Sequence, residues 1–252
     1  MTLPLITSNS RWCIDLCWWA AFAVIGLPLC AQPKCAPVPA GLSAWFTFDE
    51  PQFRPLQVPG RVGSAVRFNG KDQYFELPAA TPGLDMGDDD FTIELWIRTA
   101  DSLTTRSLVD KRDHGPLGYL MYIWNGHPGF QVANGDKAAS AVANAVNVAD
   151  RRWHHVAGVA QRLPPQPLRI YVDGVKQTNV GTRVAVGTRV APLVNIDVPV
   201  PLWLGRHHAN QSMPRNNLYF EGEMDELSFY HRALTSAEIL AIYGAGPAGK
   251  CR

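Results

Sequence analysis

The sequence predicts an all-β fold: two antiparallel sheets packed face to face, with one short helix at the C-terminus. Three observations carry this expectation. Apolar residues alternate with period two from Gly41 onward, apolar runs flank Asn-Gly and Asp-Gly pairs, and many such runs follow one another at short spacing. Only 18% of the 252 residues are charged and the formal net charge is +1, with no basic stripe, which sets nucleic acid aside as a partner. The 20 prolines and 21 glycines are dispersed, which suits an ordered chain with many turns.

The first 31 residues differ in character from the rest. Trp18 to Leu29 is a twelve-residue apolar run, preceded by Arg11 and ending in Leu29-Cys30-Ala31. It is short for a bilayer span and suits a signal peptide over 1–31, cleaved after Ala31, so that the mature chain has no membrane span and is secreted, periplasmic or held at the cell surface. The alternative is an uncleaved anchor, since Asp15 lies upstream and the leading segment is long and weakly basic. Leu29 before Cys30 argues against lipid attachment. Beyond the leader, 32–40 reads as a linker, 41–246 as one domain and 247–252 as a tail.

Loss of the leader removes Cys13, Cys17 and Cys30 and leaves Cys35 and Cys251, one near each end. In an exported chain this invites a disulfide, worth up to about 5 kcal/mol if it closes nearly the whole chain into one loop. The alternative is two free thiols in the terminal tails.

The elements follow in order. Ala44 to Phe48 opens the pattern, Ala65 to Phe68 runs into Asn69-Gly70, and Tyr74 to Leu77 follows. Phe91, Ile93, Leu95 and Ile97 form an apolar face against a mixed face of Thr92, Glu94, Trp96 and Arg98. Tyr119 to Trp124 meets Asn125-Gly126, and Leu168 to Val172 meets Asp173-Gly174. The tandem repeat Val180-Gly-Thr-Arg-Val-Ala185 and Val186-Gly-Thr-Arg-Val-Ala191 is too short for a solenoid and reads as a duplicated loop or hairpin. Thr235 as N-cap, Glu238 three residues later and Leu234 with Ile239 as a staple mark a helix that Gly244 stops. Such a short helix has to dock on the sandwich.

Trp153 to Ala160 alternates as a strand, with Trp153, His155, Ala157 and Val159 on one face and His154, Val156, Gly158 and Ala160 on the other. The paired histidines therefore face opposite ways and cannot share a metal without a bulge. They read as packed side chains, each with a hydrogen-bond partner.

Six stretches in order carry a resemblance. They are AWFTFDE at 44–50, AVRFNGKDQYFELP at 65–78, DFTIELWIR at 90–98, RWHHVA at 152–157, LRIYVDGV at 168–175 and GEMDELSFYHRALT at 222–235. Together they resemble the laminin G-like, concanavalin A-like jelly-roll family of bacterial exported proteins over about 41–245. The resemblance implies a jelly-roll sandwich with adjacent first and last strands, which supports a Cys35–Cys251 bridge. The repeat at 180–191 and the proline-rich stretch at 163–167 depart from the family pattern and alter loops.

Family members often hold a structural calcium, and Asp49, Asp225 and Asp72 are the candidate ligands on that resemblance. Calcium takes six to eight oxygens from carboxylates and carbonyls. The other expectation is that Asp49 and Asp225 only cap strand ends. Glu221, Glu223 and Asp225 share one strand face, with Glu226 opposite, a row similar to that of jelly-roll glycoside hydrolases that cleave β-glucans. Retaining hydrolysis needs an acid and a nucleophile about 5–5.5 Å apart, and the shorter Asp225 at the third position weakens that reading. Asp-Glu followed by Leu-Ser-Phe-Tyr matches the non-catalytic signature instead.

A glycan or an extracellular protein partner is therefore expected, without catalysis. Trp96 between Glu94 and Arg98 has the form of a sugar platform, and Tyr122 and Trp124 share a neighbouring strand face. Of Trp45, Trp96, Trp124, Trp153 and Trp203, at least three are expected in the core, because large aromatics usually fill it.

Overall fold

A computed structural model describes residues 34–102, 105–113, 117–135, 138–161, 168–178, 180–181, 195–207 and 219–252. The leader, most of the tandem repeat and the stretch at 163–167 lie outside the described residues.

Among the described residues fifteen strands follow one another as β1 (Leu42–Phe46), β2 (Gln57–Pro59), β3 (Ser64–Asn69), β4 (Phe75–Leu77), β5 (Phe91–Arg98), β6 (Thr105–Arg112), β7 (Leu117–Trp124), β8 (His127–Asn134), β9 (Ala138–Ala143), β10 (Trp153–Ala160), β11 (Arg169–Val172), β12 (Val175–Lys176), β13 (Val180–Gly181), β14 (Leu202–Leu204) and β15 (Glu221–Tyr230). Helix α1 (Ser236–Ala245) comes last. One sheet has the order β12-β11-β10-β5-β15-β3-β2, with β1 also paired to β15; the other runs β13-β9-β8-β7-β6-β14-β4. Every strand pairing within the sheets is antiparallel. The two-sheet sandwich is as expected, and the first strand does lie beside the last.

The inner faces meet in one apolar cluster. Phe91, Ile93, Leu95 and Ile97 of β5 pack there with Met121, Ile123 and Phe130 of the facing sheet, all buried. Gly158 has no side chain because Phe130 fills the space: a Cβ there would lie 2.6 Å from the Phe130 ring edge. Burial on this scale is the main stabilising term of such a fold.

The outer face of the first sheet carries a second cluster, in which Ile239 and Ile242 of α1 pack on Ala157, Val159, Tyr171 and Tyr230. Thr235 accepts from the Glu238 backbone and Glu238 reaches back to the Thr235 backbone, the expected capping box. The stop lies further on than expected. Gly244 is inside α1, and the chain leaves the helix at Gly246 with φ 52°.

Two further expectations need correction. The segments read as linker and tail are parts of the domain: Ala36 pairs in parallel with Lys250, and Cys35 is bonded to Cys251 across a separation of 216 residues. Of the five tryptophans only Trp96 is buried; Trp45, Trp124, Trp153 and Trp203 are half-buried. Their indole N–H groups explain this for two, because Trp45 donates to Glu226 and Trp203 to Glu76. No helix among the described residues is long and apolar enough to cross a membrane.

Candidate functional site

The outer face of the first sheet is built in registered rows, because opposed residues of neighbouring strands point the same way. Three rows matter.

The deepest row centres on Glu94 of β5, fully buried. It accepts from Lys250 Nζ at 3.0 Å and pairs with His155 Nε2 at 2.9 Å. Burial pushes its carboxyl up, yet the Lys250 charge and the His155 hydrogen bond outweigh that and hold it at about 2. Glu226 joins this group through Lys250 at 3.3 Å and Trp45 Nε1 at 3.1 Å. Alternation places Glu226 opposite Asp225, but β15 carries a bulge between Asp225 and Ser228, with Glu226 at φ 54°. The bulge turns both carboxylates to the outer face.

In the middle row Asp225 lies opposite Trp96, and Trp96 opposite His155. Tyr243 of α1 stacks on Trp96 at 5.7 Å between ring centroids, and Arg61 covers it at 4.8 Å. Glu94 and Trp96 are thus closed beneath the helix and C-terminal segment and cannot serve as the ligand platform expected of them. Tyr122 is also buried, in a small cluster with Leu120 and Val142 on the other sheet, with half-buried Trp124 against it. That pair is not brought together with β5.

The outermost row runs Arg67–Glu223–Arg98–Trp153 across β3, β15, β5 and β10. Glu223 accepts from Arg67 Nε and Nη2 at 2.9 and 2.6 Å on one oxygen and from Arg98 Nε on the other. Burial raises its carboxyl, but the two guanidinium groups more than reverse this and hold it below the usual carboxylate range. Arg98 also lies 5.0 Å from the Trp153 ring centroid, within cation–π range. An open groove of about 690 Å³ lies over Arg67, Glu223 and Arg98 of this row, with Lys71, Arg151 and Glu221 on its walls; Trp153 lies beside Arg98, outside the lining. The volume falls within the range of small-molecule sites. Of the expected ligand-binding residues, Arg98 alone faces this groove. Arg67, Lys71 and Arg151 escaped sequence reasoning, because register and a turn, not spacing, bring them together. Arg67 had one signal: a charge amid the apolar run at 65–68.

The three carboxylates of the acidic row differ in their surroundings. Glu221 is exposed and Glu223 is locked between arginines with a lowered carboxyl. Asp225, which burial and the Glu226 charge push up to about 8, has no exposed surface. General-acid work needs a raised carboxyl that meets substrate; Asp225 is raised but enclosed, and Glu223 is lowered.

The candidate calcium ligands also divide. Asp225 accepts from the Val62 N–H and Asp49 from the Ser64 N–H, both at 2.8 Å, so the two carboxylates grip one loop. Oδ1 of Asp225 is buried without a hydrogen-bond partner, which suits a cation ligand. Asp49 pairs instead with Arg252 at 2.7 Å. Asp72 accepts from Asn69 in the turn after β3. That end of β3 faces Glu221, four residues or about 13 Å along β15 from Asp225, so Asp72 is no partner to the other two. Among the described residues no group of three or more His, Cys, Asp or Glu side chains is placed to hold a metal. The paired histidines behave as expected: His154 pairs with Asp173 at 2.8 Å and Asp150 at 3.0 Å, and His155 with Glu94 on the other face.

The fold and its rows define a concanavalin A-like sandwich. The chain belongs to the laminin G-like family described as the concanavalin A-like lectin/glucanases superfamily, whose model matches residues 69–240. No curated protein matches it. Among solved structures it is similar to the binding domain of Paraclostridial Mosquitocidal Protein 1, at 17% identity over 83% of this chain and 47% of that one, TM-score 0.58. It is also similar to the botulinum neurotoxin serotype D binding domain, at 10% identity over 80% of this chain and 46% of that one, TM-score 0.55. A third is the Ruminococcus gnavus IT-sialidase CBM40, at 17% identity over 71% of this chain and 96% of that one, TM-score 0.52. The chain thus spans about half the length of the first two of these binding domains. At these identities the likeness is one of fold.

Proposed function

We propose that this protein is an exported, non-catalytic binding module that recognises carbohydrate through the groove over Arg67, Glu223 and Arg98, with Trp153 beside Arg98. The observation that carries the reading is that row: a half-buried indole, two partly exposed arginines and the buried carboxylate that orients them, held in register on four strands. Sugar sites combine an aromatic face with polar groups fixed by their surroundings, and Glu223 fixes both arginines here. Binding domains among the similar folds support it by analogy only. Export is supported by the Cys35–Cys251 disulfide, which persists in oxidising compartments.

A glycan array tests the proposal. The intact chain is expected to bind, and Trp153→Ala to lose at least about tenfold in affinity, in the range of one lost stacking contact. Absence of binding to any glycan would reject the reading. Cleavage of a β-glucan panel, abolished in Glu223→Gln, would replace it with hydrolysis. A protein partner is the second reading, favoured by Val175 and Leu240, which are 60% and 53% exposed near each other on the β12 turn and α1.

The same reading includes a structural calcium on Asp49 and Asp225, with carbonyls completing its shell. Such an ion would neutralise Asp225 and tie the loop at 60–64 to β15. Saturating chelator is then expected to lower the Tm; an unchanged Tm removes the ion.

A further inference from the structure

We infer that the groove takes an acidic sugar, one bearing a carboxylate or a sulfate ester; this rests on the carbohydrate-binding reading above. Four cations line it, Arg67, Lys71, Arg98 and Arg151, against two carboxylates, Glu221 and Glu223. For a chain whose formal net charge is only +1, that is a local concentration of positive charge.

The chemistry of each group sharpens the class. Glu223 holds Arg67 by Nε and Nη2 and Arg98 by Nε, which leaves the remaining guanidinium N–H groups of both unpaired among the described contacts. Two forks anchored by one buried carboxylate form a preorganised receptor for a planar or tetrahedral anion. Lys71 and Arg151 have no side-chain partner among the described residues, and Arg151 is held in place by its backbone, which donates to Thr99 O at 2.9 Å with φ 68°. Glu221 is exposed on the same wall and can only accept. It repels a bare polyanion and suits a ligand that also offers hydroxyl donors, as a sugar acid does. A peptide cannot add as a strand beside β15 over this stretch, because β15 is hydrogen-bonded on both sides, by β3 and β5.

Calorimetry on the full chain tests this with three probes: an oligogalacturonate, a sulfated galactan oligosaccharide and a neutral glucan oligosaccharide. The expected result is tighter binding of an acidic probe than of the neutral one, weakened by salt. The uronate and sulfate arms identify which acid is preferred. The double variant Lys71→Gln/Arg151→Gln alters no fold contact and is expected to reduce acidic-probe affinity about ten- to hundredfold while leaving the Tm unchanged. A neutral probe bound as tightly as either acidic one, or acidic-probe affinity unchanged in the double variant, would overturn the inference yet leave a carbohydrate module standing. No binding of any probe, neutral or acidic, would overturn the inference, and the glycan array then decides the carbohydrate reading.

Discussion

One face of one sheet holds two regions made of the same residue types that behave in opposite ways. In the covered region Glu94, Glu226, Trp96 and Lys250 lie under α1 and the C-terminal segment. In the open region Glu223, Trp153, Arg67 and Arg98 form a similar set of acid, indole and cations, one to two rows away, with both arginines reached by solvent. Where Lys250 meets Glu94, both side chains are almost fully buried; where Arg67 meets Glu223, the arginine side chain is 59% exposed. Coulomb attraction is screened in the second and desolvation is severe in the first, so the same kind of pair is a structural necessity in one place and an available recognition surface in the other. What separates them is the closing segment alone.

The sharpest way to break this comparison is to remove the buried cation. Lys250→Met leaves Glu94 and Glu226 without their shared partner and is expected to destabilise the chain by about 3–5 kcal/mol in urea unfolding. A loss under about 1 kcal/mol would mean that the covered region is not held by charge. Next comes the disulfide that anchors the segment: Cys251→Ser is expected to lose about 2–5 kcal/mol, read by the same denaturation curve. Removing the cap of the covering helix, Thr235→Ala, should lose about 1 kcal/mol. The smallest stability effect belongs to the open region, where Arg67→Gln is expected to shift the unfolding free energy by less than about 1 kcal/mol while weakening binding.

Proton linkage gives a further contrast within the covered region. Glu94 is held at about 2, below its unfolded value, so its contribution to stability is present above pH 4.5 and is lost as pH falls toward 2. With chelator keeping the site free of cation, Asp225 is pushed up to about 8, above its unfolded value, so its contribution is full below pH 3.8 and is lost as pH rises through 8. Urea midpoints measured from pH 3 to pH 9 should fall at both ends. Asp225→Asn is expected to flatten the alkaline limb, and an unchanged limb would show that Asp225 is not its cause.

Much of the fold was legible in the chain, and less of the site. Alternation in β5 and β10 placed each side chain on the right face, and Thr235 with Glu238 and Leu234 with Ile239 announced the helix start, because these signals are local. The bulge at Glu226 was not legible, since one extra residue reverses the face of everything beyond it without changing composition. Glu94, Trp96 and Arg98 looked like one platform because they alternate along one strand. They were divided by Tyr243 and Lys250, which come from 140 or more residues further along the chain.

By itself the sequence determined the two-layer architecture, the capped helix and the opportunity for a terminal disulfide, because period-two burial, turn chemistry and thiol supply act within a few residues or by count. Tertiary structure alone decided which half of the outer face stays open, because that depends on where a distant segment docks and on which strands sit in register beside Glu223. Local patterns select the face of a side chain, but only the packing of remote elements selects whether that face meets water.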